Sequence, residues 1–102
     1  MTQHEQDGAW VIAVHGAFDA NSSPFLAEAL EKAAGKYPRV VVDSAGFTFA
    51  DSTVLNVLLQ FNMTKTELRV ARPTRPLRRV LELTGADAIL DVRPTVAEAV
   101  KP

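Results

Sequence analysis

The sequence predicts an α/β fold, with a mixed or parallel sheet of about four to five strands packed against about four helices. Three observations carry this expectation. Val40-Val41-Val42 is an unbroken β-branched run, which suits a strand buried on both faces. From Val54 to Phe61 apolar residues cover one side of a 3.6-residue wheel, with Asn56 and Gln60 opposite, which suits a helix lying on a sheet. Strand-like and helix-like stretches then alternate along the chain with no repeat and no linker.

Each element has a local reason. Ala9 to His15 reads as a strand ended by Gly16, and Asp7-Gly8 is a hairpin turn signal that allows the preceding residues to pair with it. Pro24 suits the first position of a helix capped by Ser22 or Ser23, whose inner face runs through Phe25, Leu26, Ala29, Leu30 and Ala33 to a stop near Gly35. Arg39 to Asp43 is the central strand, and Ser44-Ala45-Gly46 is read as a turn out of it. A helix starts at about Ser52, because Asp, Ser and Thr accept the unpaired N–H groups of a first turn. Glu67 to Ala71 alternates as a strand. Pro73-Thr74 opens a helix with Leu77, Val80, Leu81 and Thr84 inward and Gly85 as its C-terminal cap. A short strand at Ala88 to Val92 and a helix from Pro94 to Val100 follow.

Composition narrows the function classes. A chain of 102 residues is the size of one domain, spanning 1–102. The net charge of −1 gives no global electrostatic case for direct nucleic-acid binding or for an anionic membrane. With no cysteine, disulfides, thiolate metal sites and cysteine nucleophiles are all excluded. Met1 to Trp10 is too polar for a signal peptide, and no apolar run approaches the roughly 18 residues of a membrane span. A cytoplasmic protein is expected, with no bound cofactor and no metal.

The case for an enzyme is weak. His4 and His15 are the two histidines, and nothing spaces other ligands around them. The glycines form neither a P-loop nor a Gly-x-Gly-x-x-Gly pattern. Ser52 lacks the Gly-x-Ser-x-Gly elbow and has no histidine placed as its base. Arg69, Arg72, Arg75, Arg78 and Arg79 form a basic segment, in which Arg75, Arg78 and Arg79 share one helix face opposite Leu77 and Leu81; the plain reading of that face is a solvated one, with contact to an acidic partner as the minority reading. Asp19 follows a strand and precedes a helix, where it can cap or form an Asx turn. Two Asp-Ser pairs occur, Asp43-Ser44 and Asp51-Ser52, and of these Ser52 has a helix beginning beside it. If their strands are neighbours, Asp19 and Ser52 share one sheet edge.

Gly16-Ala17-Phe18-Asp19, Val41-Val42-Asp43, Phe49-Ala50-Asp51-Ser52-Thr53 and Arg78-Arg79-Val80-Leu81-Glu82-Leu83-Thr84-Gly85 occur in the order and rough spacing of the STAS domain. The chain resembles the stand-alone bacterial anti-sigma-factor antagonists over nearly its whole length. The resemblance implies a phosphoprotein of transcription regulation, not an enzyme. Its Ser52 would be phosphorylated by an anti-sigma factor that is also a serine kinase, and a serine phosphatase would reverse this. The unphosphorylated form would bind the anti-sigma factor and release the sigma factor. Asp19, Asp51, Thr53 and Val54 would then be partner-binding residues. An alternative within the same fold is a STAS subunit of a lipid-transport ATPase complex that binds its partner without phosphorylation. Two places depart from the family pattern. Val54 stands where glycine usually follows the box, and the second helix, read as short, ends in Asn62 to Thr66 with no glycine.

Overall fold

Asp7 and Gly8 take φ of +52° and +82°, and between them they turn β1 (Thr2–Gln6) into β2 (Ala9–Phe18). Two successive left-handed residues match the twist of a two-residue hairpin, so the Asp-Gly signal has its expected consequence. The structure, a computed structural model, describes residues 1–50 and 52–102, with residues 49 and 50 described by backbone alone. The remaining strands are β3 (Arg39–Ala50), β4 (Glu67–Ala71) and β5 (Asp91–Arg93). The sheet order is β1-β2-β3-β4-β5, with β1 antiparallel to β2 and every later pair parallel. This is the mixed sheet that the alternation of elements predicts.

Helices α1 (Ser23–Ala34), α2 (Ser52–Asn62) and α3 (Arg75–Thr84) connect successive parallel strands. Right-handed crossovers in a sheet of sequential order place all three on one face. Their inner residues share one apolar core, in which Leu26, Leu30, Val54, Leu58, Leu77 and Leu81 meet Ile12, Val40, Val42 and Val70 of the sheet. Each fully buried aliphatic side chain contributes about 1.5–3 kcal/mol relative to exposure. Gly85 closes α3 at φ +76°, in its C-cap role, and Thr74 Oγ1 accepts the Leu77 N–H at the other end.

The opposite face is covered by α4 (Val96–Ala99), one turn of helix, where Ala99 and Val100 pack on Ala9, Val11, Val41 and Ala71. Arg69 stands on this face beside Val41 and is buried, at 8% exposure. Its guanidinium donates to the carbonyls of Ala99 and Lys101 and pairs with Asp91 at 3.3 Å, while Arg39 donates to the Val100 carbonyl. Cations on the terminal carbonyls of a helix are favourably placed. Arg69 is therefore an anchor for the final turn.

Several boundaries differ from the sequence reading. The last strand is Asp91–Arg93, not Ala88 to Val92, because Ala86–Ala88 forms a 3-10 turn that buries Ala86 and Leu90. The last helix starts at Val96, with Thr95 Oγ1 accepting the Glu98 N–H, two residues after Pro94. Phe25 is 64% exposed, not inward, and Thr84 is exposed with its hydroxyl donating to the Val80 carbonyl. At 11 residues α2 is nearly as long as the 12-residue α1, so it is not short.

Asp91 gives the fold a predictable acid sensitivity. Its carboxyl is held below the ordinary 3.8, first by the hydrogen bonds from Arg93 and further by the charges of Arg93 and Arg69. A carboxyl depressed in the folded state stabilises it above the unfolded value, and that stabilisation is lost as pH falls through the folded value. The side chain is 42% exposed, so solvent screens the pair and the effect is modest. Urea midpoints of the parent protein should drop below pH 3.8, with a shallower slope in Asp91→Asn. Parallel slopes would show that the pair is energetically silent.

Candidate functional site

The site is built by a strand that outruns its neighbour. Asp43 of β3 pairs with Ala71, the last residue of β4, yet β3 continues through residues 44–50 against β2 alone. Ser44-Ala45-Gly46 is thus strand and not turn, and β2 runs past Gly16 to Phe18. Between Asp43 and Gly46, β3 carries one more residue than β2, and between Phe47 and Phe49 it carries another. Each extra residue is a bulge that bends and twists the ribbon. Gly46 lies in the first of them with no room for a side chain: a Cβ there would fall 2.3 Å from the Val14 carbonyl oxygen and 2.7 Å from His15 Nδ1. Gly16 takes φ +84° beside it, and Phe18 meets Phe47 edge to face at 5.3 Å.

The base of the ribbon is pinned by polar contacts. The Asp43 carboxylate, on a buried residue, accepts from Arg72 Nε at 3.0 Å and Nη2 at 2.5 Å, a two-point fork of the strong kind. Arg72 reaches it from a left-handed backbone, φ +50°, directly after β4. Ser44 is fully buried and its hydroxyl donates to the Ala71 carbonyl at 2.8 Å. These contacts close the side of β3 where β4 departs. The Asp43-Ser44 pair is structural.

At the far end the last ladder pair is Phe18 with Ala50. Asp19 follows one strand at once and Ser52 follows the other two residues later, so both stand where the ribbon hands over to helices. Asp19 is exposed and forms an Asx turn: Oδ1 accepts from the Asn21 N–H at 2.9 Å and from the Ser22 N–H at 3.2 Å. Its own N–H donates to Ser22 Oγ, and its carbonyl accepts the Ser23 N–H that opens α1. Asp19 thus braces the turn and does not cap α1, whose N-cap residue is Ser22 with no side-chain cap bond. Asp19→Ala should therefore cost about 0.5–1.5 kcal/mol for each hydrogen bond lost, read as a shift in urea midpoint.

Ser52 is exposed and is the first residue of α2. Its hydroxyl is at the positive end of that helix, where added negative charge is tolerated. Thr53 is half-buried, and Val54 is fully buried in the core. The β-branched side chain that replaces the family glycine thus points into the molecule, and Val54 offers no side-chain surface to a partner. Asp51 lies outside the described residues. Among the described residues no three or more acidic or histidine side chains gather as a metal site, and no helix is long and apolar enough to cross a membrane.

The sequence-profile comparison decides the family. The family model described as "Mlab, STAS domain" matches residues 1–92, most of the chain. This chain belongs to the STAS domain family. An anti-sigma factor antagonist from Mycobacterium paratuberculosis has a similar structure at TM-score 0.87 and 26% identity, over 97% of this chain and 88% of that one. A putative anti-sigma factor antagonist from Thermotoga maritima superposes at 0.87 with 16% identity, over 96% and 89% of the two chains. The unphosphorylated anti-sigma factor antagonist SpoIIAA superposes at 0.77 with 15% identity, over 97% and 91%. No curated protein matches the sequence.

Sequence reasoning missed three residues that shape the STAS site. Gly46 looked like a turn glycine, Arg72 like one more surface cation, and Asp43 like a strand end. The signal for Gly46 was available only in the register, since the close approach comes from residues 14 and 15 of another strand. For Asp43 and Arg72 the pairing depends on a backbone with positive φ at an arginine, which no local pattern announces.

Proposed function

We propose that this STAS domain is an anti-sigma-factor antagonist whose binding edge is switched by phosphorylation of Ser52. The observation that carries the reading is the contrast between two Asp-Ser serines. Ser44 is sealed at 0% exposure, whereas Ser52 stands open at a helix start on the same edge as Asp19. The antagonist at 26% identity supports the partner class, and a Bacillus neighbour of the same fold has a phosphorylated form, at TM-score 0.68 and 16% identity. Phosphate adds about −1.5 to −2 charge, which an exposed helix N-terminus accepts and a buried interface does not. The partner is then an anti-sigma factor serine kinase, with a serine phosphatase restoring the binding form. Asp19, Asp51 and Thr53 border the contact.

The test is affinity capture with unphosphorylated protein in an extract of the source bacterium, followed by ATP and mapping of the modified residue by mass spectrometry. Capture of an anti-sigma factor kinase and phosphate on Ser52 is the expected result. Capture of a transporter ATPase with no phosphate on any residue would instead identify the lipid-transport subunit.

A further inference from the structure

Four of the seven arginines are in ion pairs: Arg39 with Glu67, Arg69 with Glu67 and Asp91, Arg72 with Asp43, and Arg93 with Asp91. The other three, Arg75, Arg78 and Arg79, are exposed and make no ion pair or side-chain hydrogen bond among the described residues. All three stand on α3 at i, i+3 and i+4, opposite the buried Leu77 and Leu81, so they form one stripe. The stripe occupies the first half of the helix, whose first turn has no acidic residue. Cations at that end oppose the helix dipole. Acids there would stabilise α3; arginines do the reverse, and a local rule broken in this way points to a contact. Because α3 leaves the sheet where β4 ends, its first turn lies on the C-terminal side of the parallel strands, the side from which α1 and α2 also leave, at the base of the ribbon that β2 and β3 extend beyond it.

We infer that this stripe is a docking surface for an acidic protein segment, one that carries two or three carboxylates along a helical turn. Arginine forks match carboxylates in a two-point geometry that lysine does not reproduce. The stripe is about 6 Å long from Arg75 to Arg79, the span of one helical turn. Glu82 follows one turn after Arg78 on the same helix and limits the stripe at that end, and the chain is net negative. A duplex or an anionic membrane needs a wider basic footprint than this. The inference rests on reading this edge as the partner-binding one, but not on phosphorylation.

The experiment titrates nitrogen-labelled full-length protein with a synthetic helical peptide bearing glutamates at i, i+3 and i+4, at about 50 mM salt, where screening is limited. Anionic phosphatidylglycerol vesicles and a short DNA duplex are run alongside. Backbone amide shifts in 75–83 are expected with the peptide, fading as salt is raised. Affinity should fall about tenfold or more in Arg75→Ala/Arg78→Ala/Arg79→Ala, a variant whose alanines favour helix and which should fold. The titration uses protein that has met no kinase and a peptide that carries no kinase activity, so a failed phospho-switch would not be mistaken for a failed stripe. Shifts absent from α3, equal affinity in the triple variant, or tighter binding to vesicles or duplex would each overturn the inference.

Discussion

Gly46→Ala is expected to lower stability by about 1–3 kcal/mol or more, the range for forcing atoms into a packed site. The added Cβ would meet His15 Nδ1 at 2.7 Å and the Val14 carbonyl oxygen at 2.3 Å. The His15 ring is exposed and can swing aside. The Val14 carbonyl cannot, because it belongs to a β2 backbone whose side chain at that residue is fully buried. Relief therefore requires β2 and β3 to separate at the bulge, which tilts the ribbon that carries Asp19 and Ser52. Replacing His15 with alanine in the same chain should restore little, since the backbone clash persists. Gly35→Ala is the control: its φ is −76° and its nearest contact lies at 3.9 Å, so it should be neutral or slightly stabilising. Urea unfolding of the three variants checks this. Equal midpoints for Gly46→Ala and Gly35→Ala would mean that the bulge yields freely.

The ribbon also shows where local sequence runs out. Glu67 to Ala71 and the Asp-Gly hairpin were legible because their signals are local: alternation in the one, backbone permissiveness in the other. The inner face of α2 was legible for the same reason, and Val54, Leu55, Leu58 and Phe61 are buried as the wheel requires. Ser44-Ala45-Gly46 was not, since small residues read as a turn when seen alone and as a bulged strand only when β2 is set beside them. The strand position of Arg69 is legible but its role is not, since that position turns it onto the face where α4 ends and offers its carbonyls. Phe25 fits the periodicity of α1 yet is exposed, because the periodic arc is wider than the surface the sheet can cover. Of the site, the two serines could be told apart by their flanking segments. The reason that Ser44 is closed is a hydrogen bond to Ala71, a residue far along the chain.

Ser52→Ala is expected to hold the anti-sigma kinase and to be immune to its ATP, while Ser52→Asp binds about tenfold to a hundredfold more weakly, the effect of roughly 1.4–2.8 kcal/mol. The sign follows from where the charge sits. In the free protein Ser52 is exposed at the start of α2, so an anion there gains about 0.3–1 kcal/mol from the helix, up to about 2 in a good geometry. Repulsion from neighbouring carboxylates offsets this, and melting should change little. Against a partner surface the same charge must lose its water, and each partner carboxylate at about 5 Å adds about 3 kcal/mol at an effective dielectric near 20. One aspartate charge understates a phosphate, so the fully phosphorylated protein should bind more weakly still. Asp19→Ala separates contact from stability on the same edge: a large loss of capture in protein that remains folded assigns it to the partner, and a loss confined to the urea midpoint assigns it to the Asx turn. Ser44→Ala is the internal control. It deprives the Ala71 carbonyl of its donor and should cost about 1 kcal/mol, yet leave phosphate incorporation in the folded protein unchanged. The measurement is partner affinity for each variant together with site mapping after kinase and ATP. Phosphate on Thr53 or Ser44 would move the switch, and equal affinity of Ser52→Ala and Ser52→Asp would remove it.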